Sequence, residues 1–294
     1  MRRRNRAARS PLRPSATIRA SMKAKARLGQ NFLVDRQATG RIVAALGDIE
    51  GRAVVEIGPG RGAITGALSA RAGRVLAIEL DRELAEDLRE QFPPDHVTVV
   101  EQDVLAFDFQ AACAQLSPSL TGGRLRVVGN LPYYITSPIL LKLAASHAAL
   151  DLAVLMVQRE VADRVVAPAG SRDYGLLSVT VQMYGPVEKL FTLPPSAFSP
   201  PPEVHSTVFR WRFAPRFDEL GVPERDFLRF ARAAFAQKRK TLVNNLRAAG
   251  IAPGAAAAAL PAAAISPQAR AEAVPLEALA ALWRSLRAAE ALPS

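Results

Sequence analysis

One cysteine, Cys113, stands in 294 residues. An intrachain disulfide is thereby excluded, and the usage fits a reducing cytoplasm. The three histidines, His96, His147 and His205, are scattered, and no Cys/His spacing resembles a metal site, so no metal is expected. No apolar run reaches the ~20 residues needed to cross a bilayer, so no membrane span is expected. Acidic residues are in deficit, 27 against 38 Lys and Arg, for a net charge of +11. The excess points to a polyanionic partner, either nucleic acid or an acidic membrane face, although a merely basic surface would also produce it. The deficit is complete over residues 1–27, which contain no Asp or Glu. Residues 1–22 read as a disordered basic arm that could touch RNA. The same composition suits a transit peptide, and Met22 could be a start.

What is present is a core. Hydrophobic residues make up 49% of the chain, enough for one large domain, or one large and one small. Short β-branched runs predict buried strands at "AVVEI" (53–57), "RVLAIEL" (74–80), "VTVVE" (97–101), "RLRVV" (124–128) and "LAVLMV" (152–157). Helical spacing follows several of them, at 63–71, 82–91, "PILLKLAAS" and "QREVADRVVA". Strands alternating with helices give an α/β fold with a mostly parallel sheet covered on both faces. "VEKLFTL" (187–193) and "TVFRWRF" (207–213) are expected as an antiparallel edge pair. "PPSAFSPPPEV" between them is too proline-rich for regular structure. After about residue 216 the pattern is helical only. "ERDFLRFARAAFAQKRKTLVNNLRAAG" carries one apolar face from Phe227 to Leu246, with Gly250 as a C-cap. The expected domains are 23–213 and a small helical 214–294.

Four features sit at the ends of four strands. "EIGPGRGAIT" brings Gly58, Gly60 and Gly62 after the first. Glycines there allow a tight turn and close approach of a ligand to the backbone. Glu79, Asp103 and Asn130 come after the next three. Ligands bind outside the carboxyl ends of parallel strands, so all four converge on one crevice. The spacing is G-x-G-x-G, not the dinucleotide G-x-G-x-x-G. Glu79 lies where a carboxylate can accept from ribose hydroxyls. That suits NAD or an adenosine-containing cofactor such as S-adenosylmethionine.

"NLPY" discriminates between them. An exocyclic adenine amine is a poor nucleophile, because its lone pair is delocalised into the ring. Two acceptors aimed at its N–H groups pull the nitrogen toward tetrahedral geometry. Asn130 supplies one, and the Leu131 carbonyl, held by Pro132, supplies the other. Tyr133 beside them can stack on an extruded base. Hydride transfer has no use for this set. A plain strand-to-helix turn with a buried Tyr is the alternative.

"GQNFL" (29–33), "EIGPGRGAIT", "IELD", "EQD", "GNLPYYITSPI", "YGLLSV", "AFSPPPEVHSTV" and "QKRKTL" resemble, in order and spacing, the small-subunit ribosomal RNA adenine dimethyltransferases of the KsgA type. The resemblance runs from about residue 23 to 290. It implies a class I S-adenosylmethionine-dependent methyltransferase fold, Rossmann-like, with a small C-terminal helical domain. It implies transfer of methyl groups to N6 of two adjacent adenosines near the 3′ end of 16S-type rRNA, in a pre-assembled small subunit, by a cytoplasmic monomer. Asn31 and Leu33 would then line the cofactor site. Gly58, with Gly60, would approach the methionine part, Glu79 the ribose, Asp103 the adenine amine and Asn130 the reactive end. Tyr133 and Phe198 would sandwich the target adenine. Lys238, Arg239 and Lys240 would contact rRNA; Lys238 stands where many relatives carry Arg. Rival readings are a 23S rRNA adenine methyltransferase of the antibiotic-resistance type, a DNA adenine methyltransferase, and a ribosome assembly factor that binds without catalysis.

Overall fold

The fold is seen in a computed structural model that describes residues 30–116 and 122–292; the expected arm over 1–22 lies outside them. From Asn31 onward the chain forms one unit. Strand β1 (Phe32–Leu33) leads into helix α1 (Arg36–Ala45), which Asp35 caps by accepting from the Gln37 and Ala38 amides. The alternation follows: β2 (Ala53–Ile57), α2 (Ala63–Ser69), β3 (Arg74–Glu79), α3 (Arg82–Gln91), β4 (Val97–Glu101) and α4 (Phe109–Leu116). It continues through β5 (Leu125–Asn130), α5 (Thr136–Ala145), β6 (Leu150–Gln158), α6 (Arg159–Val166), α7 (Leu176–Met183), β7 (Val187–Leu193), β8 (Phe198–Ser199) and β9 (Ser206–Arg212). Helices α8 (Glu224–Ala234), α9 (Leu242–Ala248), α10 (Pro253–Ala259) and α11 (Leu276–Ala288) complete it.

The main sheet runs β4-β3-β2-β5-β6-β9-β7. Its first five strands are parallel, and β9 is antiparallel to both β6 and β7. From β2 the chain winds outward to β3 and β4, then crosses to β5 and β6. The switch point, where a ligand crevice opens, therefore lies between β2 and β5. Both faces are covered. Val55, Ile57 and Val127 face one buried cluster, and Val54 and Val128 face the other. That is why these strands read as unbroken apolar runs. The first cluster continues into the C-terminal helices as far as Leu286. Tyr184 adds a polar tie by donating to Glu224 Oε1 at 2.6 Å.

Three expectations need correction. Strand β5 runs two residues past Val128, so Asn130 ends the strand rather than following it. The bareness of Gly129 permits this: a Cβ there would come 2.7 Å from the Ile57 carbonyl oxygen. The proline-rich stretch is not wholly irregular, since β8 pairs antiparallel with β1. The single expected helix from 224 to 250 is broken over 235–241. Lys238, Arg239 and Lys240 thus lie exposed on a turn, not on a helical face. Buried Asn245 makes the corner by donating to the Ala234 and Gln237 carbonyls, and Thr241 caps α9.

Candidate active site

The glycine loop runs from β2 to α2 through three left-handed residues, Gly58 at φ +64°, Gly60 at φ +57° and Gly62 at φ +79°. A side chain at Gly58 would meet the Asn130 carbonyl oxygen at 3.8 Å, so this loop and the end of β5 are neighbours. A side chain at Gly60 would strike the Phe32 ring at 2.9 Å. Phe32 thus covers the loop, with the Arg61 guanidinium 4.5 Å from its centroid. Phe32 lies inside "GQNFL" but carries no signal by itself; only the distant pairing of β1 with β8 places it there.

Glu79 is buried at the end of β3, with 5% exposure. Its Oε2 accepts from the Gly60 amide at 3.0 Å, and its Oε1 from the Leu80 and Asp81 amides at 2.9 and 3.0 Å. Burial pushes its carboxyl above the ordinary value, and these amide bonds pull it back. Three of about four acceptor positions are filled, which leaves room for one more donor. Asp103 is exposed beyond β4 and accepts from the Leu105 amide at 2.9 Å.

Glu56, the fourth of the five residues of β2, is a further buried carboxylate that the sequence reading omits. It is 1% exposed, and the Thr65 hydroxyl donates to it at 2.6 Å. Burial, with the charge of Glu79 adding to it, pushes its carboxyl up to about 7. The available signal was a charged residue inside an otherwise apolar strand.

Asn130 donates from Nδ2 to the Asn31 backbone carbonyl at 2.9 Å. A carbonyl can only accept, so the amide nitrogen must face it, and the amide oxygen is left for another donor. Leu131 donates its amide to the Met156 carbonyl at 2.9 Å, and its side chain is buried. Pro132 (φ −58°) opens the single turn Tyr133–Ile135. Its carbonyl accepts from the Thr136 hydroxyl at 3.0 Å, which stiffens the turn. Tyr133 is partly buried, with its hydroxyl 2.8 Å from that of fully buried Ser206. Burial raises the phenol's pKa, and Ser206 lowers it.

The structure brings Asn31, Gly58, Gly60, Glu79 and Asn130 together through these contacts. Leu33 and Phe198 are paired on β1 and β8 and buried, at 6% and 3% exposure. Both pack into the cluster with Met156 and Val208. In this conformation Phe198 offers no free face to a base. Lys238, Arg239 and Lys240 are contributed by the α8–α9 turn.

The sequence pattern of the family described as "Ribosomal RNA adenine dimethylase" matches residues 21–286. The chain belongs to that family. It is 58% identical over 90% of its length to the "Ribosomal RNA small subunit methyltransferase A" of Acidobacterium capsulatum, covering 92% of that protein. It is 53% identical over 76% of its length to the protein of the same name from Koribacter versatilis, covering 81% of it. A dimethyladenosine transferase from Plasmodium falciparum shares the fold: TM-score 0.70, 21% identity, 88% of this chain and 98% of that one. The 23S rRNA methyltransferase ErmE follows at TM-score 0.65 and 25% identity, over 87% of this chain and the whole of that one. As a family member the chain is a class I methyltransferase that dimethylates rRNA adenine with S-adenosylmethionine. The donor set of the cleft fits that cofactor: buried and exposed carboxylates for hydroxyls and amines, and a bare glycine backbone for close approach.

Proposed function

We propose that the protein dimethylates N6 of two adjacent adenosines near the 3′ end of small-subunit rRNA, acting as a cytoplasmic monomer on a pre-assembled particle. The name shared by its relatives supports the small-subunit substrate. One observation carries the chemistry. Asn130 is held by the Asn31 carbonyl so that its amide oxygen is available to a substrate N–H.

In the proposed site Asn130 Oδ1 and the Leu131 carbonyl accept from the two amine hydrogens. Pro132 holds that carbonyl in place. The amine lone pair, freed from the ring, then turns to the methyl. The cofactor, when bound, supplies that methyl on a sulfonium. Glu79 would use its remaining acceptor position on the ribose of the bound cofactor, and Asp103 would accept from its adenine amine. Gly58 and Gly60 would admit the methionine part, with Asn31 and the β1 backbone at Leu33 closing that side. Tyr133 stacks on the target base, and Phe198 supports the wall behind it. The methylated ammonium is acidic and sheds its proton to water, so the step needs neither a metal nor a strong base. Lys238, Arg239 and Lys240, with the helices that carry their turn, grip the rRNA backbone.

Single-turnover methyl transfer by Asn130→Ala tests this reading. The expected result is a rate loss on the order of 10²-fold or more, with cofactor affinity within a few-fold of wild type. Transfer at the wild-type rate would refute the orienting role.

A further inference from the structure

Among the described residues, five large apolar side chains stand exposed: Val34, Leu80, Tyr134, Leu141 and Val204. Four of them lie, in the chain, near residues assigned to the site or in the loop leading to β9. Val34 follows Leu33, Leu80 follows Glu79, Tyr134 follows Tyr133, and Val204 lies in the loop from β8 into β9. A large apolar side chain left open to water marks a contact surface rather than a stabilising one. Tyr134 is the most open of them, at 60%. It sits mid-turn between Tyr133 and Ile135. The bond from Tyr133 to Ser206 holds that turn against the start of β9, two residues after Val204. The two neighbouring tyrosines therefore divide their tasks. Tyr133 is tied inward, and Tyr134 is offered to solvent.

We infer that Tyr134 is a stacking platform for the nucleobase adjoining the adenosine that enters the cleft. The inference rests on the rRNA-methylating reading above. A base withdrawn from its strand leaves its neighbour without a stacking partner, and an exposed ring supplies a replacement for any base. A tyrosine ring has only two torsions to fix, so little freedom is lost on contact. An exposed ring contributes little to folding, which leaves its effect on substrate open to measurement.

The experiment compares wild type, Tyr134→Ala and Tyr134→Phe on undermethylated small-subunit particles, with S-adenosylmethionine affinity and Tm measured alongside. Tyr134→Ala should raise KM for particles about 5- to 100-fold, in keeping with ~1–3 kcal/mol of stacking. Tyr134→Phe should stay near wild type, and cofactor affinity and Tm should not move. An unchanged KM in Tyr134→Ala would overturn the inference while leaving the methyltransferase reading intact. Equal losses in Tyr134→Ala and Tyr134→Phe would also overturn it, by pointing to a hydroxyl contact. So would a parallel loss of cofactor affinity. Absence of adenosine methylation by wild type would overturn the underlying reading, and this inference with it.

Discussion

At the scale of residues the site is a set of carboxylates and amides whose free valences are rationed by the backbone. Glu79 spends three acceptor positions on holding its own loop. Asn130 donates from Nδ2 to Asn31 and keeps its oxygen. The identities of these residues were legible from their places after strands. Their hydrogen-bond partners were not, because Asn31 is 99 residues from Asn130 and sequence spacing carries no such distance. Glu56 has a stability consequence. Its folded value, about 7, lies above the 4.5 of a free carboxyl. The folded state therefore holds a proton that the unfolded state has released between those values. Stability from this source falls as pH rises from about 4.5 through 7, by at most roughly 3 kcal/mol. Glu56→Gln keeps an acceptor for Thr65 and removes the charge. It should melt above wild type at pH 8, with the gap closing toward pH 5. A gap that is constant over this range would contradict the assignment.

At the scale of elements, strands β2, β3, β5 and β6 were readable because burial on both faces leaves them mostly apolar, and edge strand β4 because its β-branched run marks it. The β1–β8 pair was not. Each strand is two residues long, one lies in a proline-rich stretch, and six of the seven main-sheet strands lie between them in sequence. The break between α8 and α9 was hidden for the opposite reason. The apolar spacing from Phe227 to Leu246 runs on across it, while the device that turns the corner is one buried amide, Asn245. The turn so made projects Lys238, Arg239 and Lys240 together, and none has an ion-pair partner among the described residues. Replacing all three by Ala should weaken binding to small-subunit rRNA or particles across sequences. It should also flatten the dependence of log affinity on log salt by about 2, at ~0.7 per phosphate contact for single-stranded RNA. An unaltered salt slope would mean that the turn does not meet phosphates.

At the scale of the whole molecule, one apolar cluster joins the sheet to the C-terminal helices, and Tyr184 bonded to Glu224 adds a polar tie. The cleft at the β2/β5 switch point and the basic turn are therefore parts of one body, as the proposed two-point grip on rRNA requires. The excess charge of +11 was visible from composition, but only the structure shows where part of it is presented. The central claim is that this body delivers methyl groups to the N6 of paired adenosines in the small subunit. The most direct measurement incubates purified protein and labelled S-adenosylmethionine with particles lacking the modification, then maps labelled nucleosides along the rRNA. The account predicts N6-dimethyladenosine at two adjacent positions near the 3′ end of the small-subunit rRNA. Label in large-subunit rRNA instead, or none in adenosine, would contradict it.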